Sequence, residues 1–238
     1  MKALRKESSP KVYFEKTQET TDKNKSGFKE LRPLAPFIIS GGQNTEQFYF
    51  KKVSVLTKYH FNILPGYFGK ESQFTETFPQ WIDEIINQDS DARVFCVFDI
   101  DTIADNKSNQ KKYTVFLNNI LAHTNSGKVT LCPSMPCFEY WLLLHFENTA
   151  KLMKSNAVVS NYLSKHMKSL FPKSDKAFSK MMKSQKYLDA LDWKTLICTN
   201  GNLERAISTA KQNYEEGLEN KTLDKQSYTL VFKAFEKR

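Results

Sequence analysis

Apolar and polar positions alternate in blocks of changing period between residues 33 and 150. Phe37-Ile38-Ile39-Ser40 is a short apolar run with β propensity, and Gly41-Gly42 follows it as a turn. Asn44 or Thr45 can cap a helix that runs through Phe48, Tyr49, Val53 and Leu56, and Gln47 stands where a capping box needs it. Residues 61–65 predict a second strand and 66–72 a loop. Residues 74–86 have amphipathic helical spacing, with Pro79 as a point of interruption. Residues 93–99 are nearly continuous in apolar side chains, as in a strand covered on both faces. Helical spacing returns over 111–121, at Tyr113, Phe116, Leu117, Ile120 and Leu121. Residues 129–132 predict a fourth strand, Pro133 and Pro136 bracket a turn, and 138–146 open a very apolar helix.

This alternation predicts an α/β core over 33–150, a mostly parallel sheet flanked by helices. Beyond residue 150, helical segments with Lys and Met predominate and no strand is evident. The expected organisation is a polar, basic N-terminal arm over 1–32, the α/β core, and a mainly helical basic C-terminal subdomain over 151–238. Eighteen Phe and ten Tyr in 238 residues supply large side chains for a core. No apolar run reaches the roughly 18 residues of a membrane span, and the first 29 residues do not read as a secretory signal. A cytoplasmic protein without membrane contact is expected. Cys96, Cys132, Cys137 and Cys198 form no CxxC pair, so buried free thiols are expected rather than a zinc site.

Charge divides the chain unevenly. Residues 33–150 carry nine Lys/Arg against twelve Asp/Glu, whereas 151–194 carry ten Lys against three Asp. A basic stretch beside an acidic core suits a protein that binds a polyanion and holds a metal, although a solvated Lys-rich surface has the same composition.

Three places could carry chemistry. Ser40 to Glu46 is a glycine-bearing strand-to-helix turn that could hold a phosphate, but it is not a P-loop, and Glu46 could simply complement the helix dipole. Asp99-Ile100-Asp101 closes the strongest strand, at the sheet end where ligands bind in parallel α/β folds. If the extended backbone persists, both carboxylates share one face and repel, and magnesium removes that penalty. A loop Asp capping the next helix is the plainer alternative. In the run from Cys132 to Phe146, Glu139 and His145 interrupt a buried segment. His145 reads as a satisfied core histidine, while Glu139 is open between helix start and ligand.

The ordered motifs resemble the RloB family, also found as the second component of AbiL-type abortive infection systems. The matching pieces are Gly42 to Phe50, Val97 to Asp101 and Ser134 to Phe146, with weaker matches at Asn202 to Ala206 and Ser227 to Val231. The resemblance implies a Toprim fold, the Rossmann-like domain of topoisomerases and primases, with acidic residues around magnesium. It also implies an ABC-type ATPase partner encoded nearby, a role in antiphage defence, and by analogy RNA such as tRNA as substrate. Many members of the family have Glu-Gly at the first turn; here Gly41 stands in place of that Glu.

These readings converge on magnesium-dependent phosphodiester hydrolysis, with manganese as the alternative ion. Asp99 and Asp101 would bind metal, Glu46 would hold a second ion or act as general base, and Glu139 would ligate or orient. Lys151, Lys154, Lys165, Lys168, Lys173, Lys176, Lys180, Lys183 and Lys186 would attract the nucleic acid backbone. The rivals are a non-catalytic pseudo-Toprim subunit that binds the ATPase and nucleic acid, and a nucleotidyl-transfer enzyme. A homodimer is the self-assembly open to such a chain.

Overall fold

The computed structural model describes residues 35–42, 44–63, 74–104 and 106–236. The arm at 1–32 and the loop at 66–72 lie outside the described residues. The chain forms a five-stranded sheet in the order β2-β1-β3-β4-β5, with β1 Phe37–Ser40, β2 Asn62–Ile63, β3 Val94–Asp99, β4 Val129–Met135 and β5 Tyr228–Thr229. The first four strands are parallel, and β5 joins the edge antiparallel to β4.

Period-2 alternation sorts the strand side chains onto two faces. Ile38, Phe95, Val97 and Cys132 join the cluster on one face, and Phe37, Ile39, Val94, Cys96, Phe98 and Val129 join the cluster on the other. The second face is covered by α2 Phe74–Gln88 and α4 Lys107–Asn119, through Phe78, Ile82, Ile85 and Phe116. Between β3 and α4 lies the single turn α3 Asp101–Ala104, and α5 Leu121–Asn125 follows α4. The first face is covered by α1 Thr45–Leu56, α6 Phe138–Leu143 and the C-terminal helices. Those helices include α7 Asn156–Met167, α8 Phe178–Met182, α9 Gln185–Asp189, α10 Trp193–Cys198 and α11 Asn202–Glu219. The chain ends in a 3₁₀ segment, Val231–Phe235, whose Phe235 stacks on Trp141 and Phe50. Among the described residues no helix is long and apolar enough to cross a membrane.

Several local expectations change. The residue 44 capping box does not form: Asn44 makes no side-chain cap and donates instead to the Lys183 carbonyl at 3.2 Å. Pro79 sits inside α2 without ending it, so the helix forgoes one backbone bond rather than a turn. The helix over 111–121 begins earlier and is divided at Ile120 into α4 and α5. The strand foreseen over 129–132 continues through Pro133 to Met135. Proline is tolerated there because its missing N–H lies on the side of the short edge strand, where its carbonyl accepts the Leu230 N–H at 2.9 Å. The apolar helix from 138 ends at Leu143. The strand β5, absent from the sequence reading, is two residues long, too short to show a period. Cys96, Cys132 and Cys137 are buried free thiols, but Cys198 is exposed at the end of α10.

Candidate functional site

Three chain segments leave the carboxyl ends of β1, β3 and β4 side by side. Ser40 pairs with Val97 and Asp99 with Ser134 in the ladders. The departing backbones stay connected: Gly41 N–H donates to Val97 O at 2.8 Å, Ile100 N–H to Ser134 O at 3.0 Å, and Asp101 N–H to Pro136 O at 3.2 Å. The first turns after these strands carry Glu46, Asp101 and Glu139, and Asp99 ends β3 itself. Asp99 has the strand parity of Phe95 and Val97, so it belongs to the face covered by α1 and α6.

Asp99 is the centre of the group. Its Oδ1 accepts the Phe138 N–H at 2.8 Å, supplying the first turn of α6 with the cap that Cys137 does not provide. Burial raises its carboxyl to about 9, and the charges of Glu46, Glu139 and Asp101 add to the rise; the Phe138 bond opposes it. Glu46 is 7 % exposed. Burial, then the Glu139 charge, raises its carboxyl to about 7, against the lowering effect of the backbone N–H groups of Glu46 and Gly42. The glycine turn that could have held a phosphate therefore offers its donors to the protein's own carboxylate. A Cβ placed on Gly42 would lie 2.0 and 2.1 Å from the two Glu46 oxygens, so only glycine leaves room for this acid.

Glu139 occupies the first turn of α6, and its Oε2 accepts the Asn156 Nδ2–H at 2.8 Å. Ser160 Oγ in turn donates to Asn156 Oδ1 at 3.1 Å. Asp101 departs from the expected geometry. β3 ends at Asp99, the chain bends at Ile100, and Asp101 starts α3, so the two Asp residues do not share a face by strand alternation. Asp101 still lies close enough for its charge to act on Asp99.

The four acids are thus electrostatic neighbours, with three of them turned towards protein donors. Among the described residues, no group of three His, Cys, Asp or Glu side chains is arranged to hold a metal ion. The donors are hard carboxylate oxygens of the type magnesium takes, and burial together with neighbouring charge opposes the ionisation of Glu46 and Asp99.

The basic segment reaches this rim. Thr45 Oγ1 donates to Met182 O at 3.0 Å and Asn44 Nδ2 to Lys183 O, so the end of α8 is tied to the start of α1. All nine lysines named from the sequence are exposed. Asn156 and the Met182–Lys183 contacts were not foreseen. They join residues more than a hundred positions apart or on neighbouring helices, and no periodicity marks them. Ser155-Asn156 as a helix start was the one available sign.

Of the histidine and the C-terminal motifs, the structure makes scaffolding. His145 is fully buried, with Nδ1 donating to Trp141 O at 3.1 Å and Nε2 accepting from the Tyr49 hydroxyl at 3.0 Å. Burial lowers it to about 3, so it is neutral. Arg205 donates to the His145 carbonyl and to Asn202 Oδ1. Ser227 Oγ accepts the Met153 N–H at 2.9 Å, and Thr229 Oγ1 meets Ser134 Oγ at 2.7 Å. The 202–206 and 227–231 segments therefore fasten the last helix and strand to the acidic rim's own scaffold.

The family model for RloB-like proteins matches residues 37–237. The chain belongs to the RloB-like family. The match takes in all five strands, the acidic rim and the C-terminal fastening, so every feature of this RloB-like site lies inside the shared region. No curated protein and no solved structure matches the RloB-like chain.

Proposed function

We propose that this RloB-like chain is a Toprim-type, metal-dependent nuclease that hydrolyses phosphodiester bonds, with RNA such as tRNA favoured, and serves as the effector of an antiphage defence system beside an ABC-type ATPase. The observation that carries the reading is Asp99: a carboxylate buried at a strand end, with three further acids acting on it. Isolated buried carboxylates are costly, and one whose ionisation is opposed by three neighbouring acids is relieved by a cation.

Asp99, Glu46, Glu139 and Asp101 are the residues that would hold magnesium. When bound, magnesium would supply charge neutralisation at the scissile phosphate and a more acidic water. The remaining roles belong to the protein. The Phe138 N–H holds Asp99 in place, and Asn156 holds Glu139. Glu46, raised to about 7, has the basicity expected of a group that takes a proton at neutral pH. The exposed lysines would draw in the phosphate backbone, giving affinity without sequence choice.

A second reading has its own support. Glu46, Asp99 and Glu139 are each engaged by a protein donor, and Gly41 replaces an acid common in the family. Under it, the chain is a non-catalytic subunit that binds nucleic acid and the ATPase. Incubating the pure protein with tRNA in magnesium and in chelator separates the two, together with calorimetric titration of the metal. Cleavage in magnesium alone supports the nuclease; neither cleavage nor magnesium binding supports the subunit.

Position 41 offers a sharper comparison. A Cβ there would meet Phe98 Cβ at 3.7 Å and Phe74 Cβ and Val97 O at 3.8 Å, all ordinary contacts. Gly41→Glu is therefore expected to fold with a melting temperature within a few degrees of the parent. It should bind magnesium about tenfold more tightly by calorimetry if the new carboxylate, which starts on the Phe98 side, reaches round the strand end to the rim. Unchanged affinity would place residue 41 outside the metal's reach.

A further inference from the structure

We infer that Tyr162, with the ammonium groups of Lys151 and Lys165 beside its ring, is a stacking platform for an unpaired base of a nucleic acid strand. The inference rests on the proposed nucleic acid substrate and narrows it to a single-stranded region.

Tyr162 lies on α7, whose Val159, Leu163 and Met167 enter the core. Its own side chain stays partly exposed. Lys151 Nζ donates to the Tyr162 hydroxyl at 2.8 Å and sits 5.3 Å from the ring centroid; Lys165 Nζ sits 4.8 Å from it. The Lys151 backbone is fixed as well, by a bridge to Gln226 and by its N–H to Thr149 Oγ1 at 3.2 Å. Glu147, the carboxylate that acts on Tyr162, is engaged by His166 Nε2 at 2.6 Å. A π face with two cations beside it matches the two needs of a nucleotide: the base stacks and the phosphate is neutralised.

The surroundings support this use. Residues 151–194 carry ten Lys against three Asp. The same pairing recurs within them at Tyr187, where Lys176 Nζ lies 5.4 Å from the ring centroid. The helix that carries the platform also touches the acidic rim. Asn156, at the start of α7, donates to Glu139, and Tyr162 follows six residues later, about 9 Å along the helix axis. A duplex, whose base faces are already stacked, would meet only the lysines.

Fluorescence anisotropy in chelator, without cleavage, tests this with a labelled oligouridylate of about 12 nucleotides and an RNA duplex of equal length. Tyr162→Ala is expected to weaken single-strand binding about tenfold and leave duplex binding within about twofold. Tyr162→Phe keeps the π face and should stay within about threefold of the parent. Replacing Lys151 and Lys165 together by Ala should lower the salt slope for the single strand by roughly 1.4. Parent-like binding by Tyr162→Ala would overturn the platform. So would equal loss for strand and duplex, a Phe variant as weak as the Ala variant, or a parent chain that binds no oligouridylate. The nuclease reading stands or falls separately: Asp99→Asn that binds the strand but cuts like the parent would sink catalysis at Asp99 and leave the platform intact.

Discussion

Asp99→Asn is expected to yield a protein that is more heat-stable than the parent in magnesium-free buffer and at least about 100-fold slower in magnesium-dependent cleavage. Both effects come from one source. The folded protein holds the Asp99 carboxyl near 9, against an ordinary value of 3.8, because burial and the Glu46, Glu139 and Asp101 charges oppose ionisation. Folded-state basicity above the unfolded value means that the folded state binds more protons across that interval. Stability is therefore full below about 4 and is lost as pH rises towards 9, and Glu46 adds to the loss up to about 7. Asn keeps an oxygen to accept the Phe138 N–H but carries no charge. Replacing a carboxyl whose ionisation the folded state suppresses is worth about 2 kcal/mol at pH 8, or roughly 4–8 °C in a domain of this size. At pH 5 the gain should shrink, because so near its ordinary value of 3.8 the unfolded carboxyl gains little free energy by ionising. Magnesium should stabilise the parent at pH 8 more than at pH 5, and Asp99→Asn less than the parent. Thermal melts at the two pH values, with and without magnesium, read the first effect, and tRNA cleavage reads the second. A variant as active as the parent would remove Asp99 from the mechanism, and a variant with a lower melting temperature at pH 8 would contradict the electrostatic account.

Gly42→Ala is expected to do nearly the damage of losing Glu46. The φ of Gly42 is not in the left-handed region, so alanine meets no backbone strain there; the obstacle is space. The new Cβ would lie 2.0 Å from one Glu46 oxygen and 2.3 Å from its Cδ, far inside contact distance. The carboxylate must swing away and release the two backbone N–H groups it accepts. Leaving buried donors without partners costs about 1–3 kcal/mol. Under the proposed nuclease reading, cleavage should fall about tenfold or more, as Glu46, the proposed proton acceptor, leaves its position. In Gly42→Ala/Glu46→Ala the clash is gone, so the second substitution should cost much less than it does alone. Full additivity in melts and rates would show that Gly42 and Glu46 act independently.

Much of this molecule was legible along the chain. The apolar run at 94–99, covered on both faces, announced the central strand, because a buried parallel strand needs no polar alternation. The Gly41-Gly42 turn, the helix through Leu56 and the order of strands and helices followed from local patterning, and so did Glu46, Asp99 and Glu139 as residues at strand ends and first helical turns. His145 as a satisfied core histidine was also readable, as a polar interruption in an apolar run.

What the tertiary structure decided is how those groups meet. Sequence periodicity describes a side chain's face on its own element, and it is silent about partners on other elements. It could not foresee that Asp99 caps α6, that Asn156 holds Glu139, or that Asn44 leaves its own helix to bond Lys183. It misplaced Asp101, because the bend at Ile100 is set by the bonds of the departing chain to Ser134 and Pro136, not by the Asp-x-Asp spacing. It missed β5, whose two residues are held at the sheet edge by β4 rather than by any propensity of their own. Local composition chose the acids; burial against distant helices gave Glu46 and Asp99 their raised affinity for protons, since only a folded chain brings like charges together away from water.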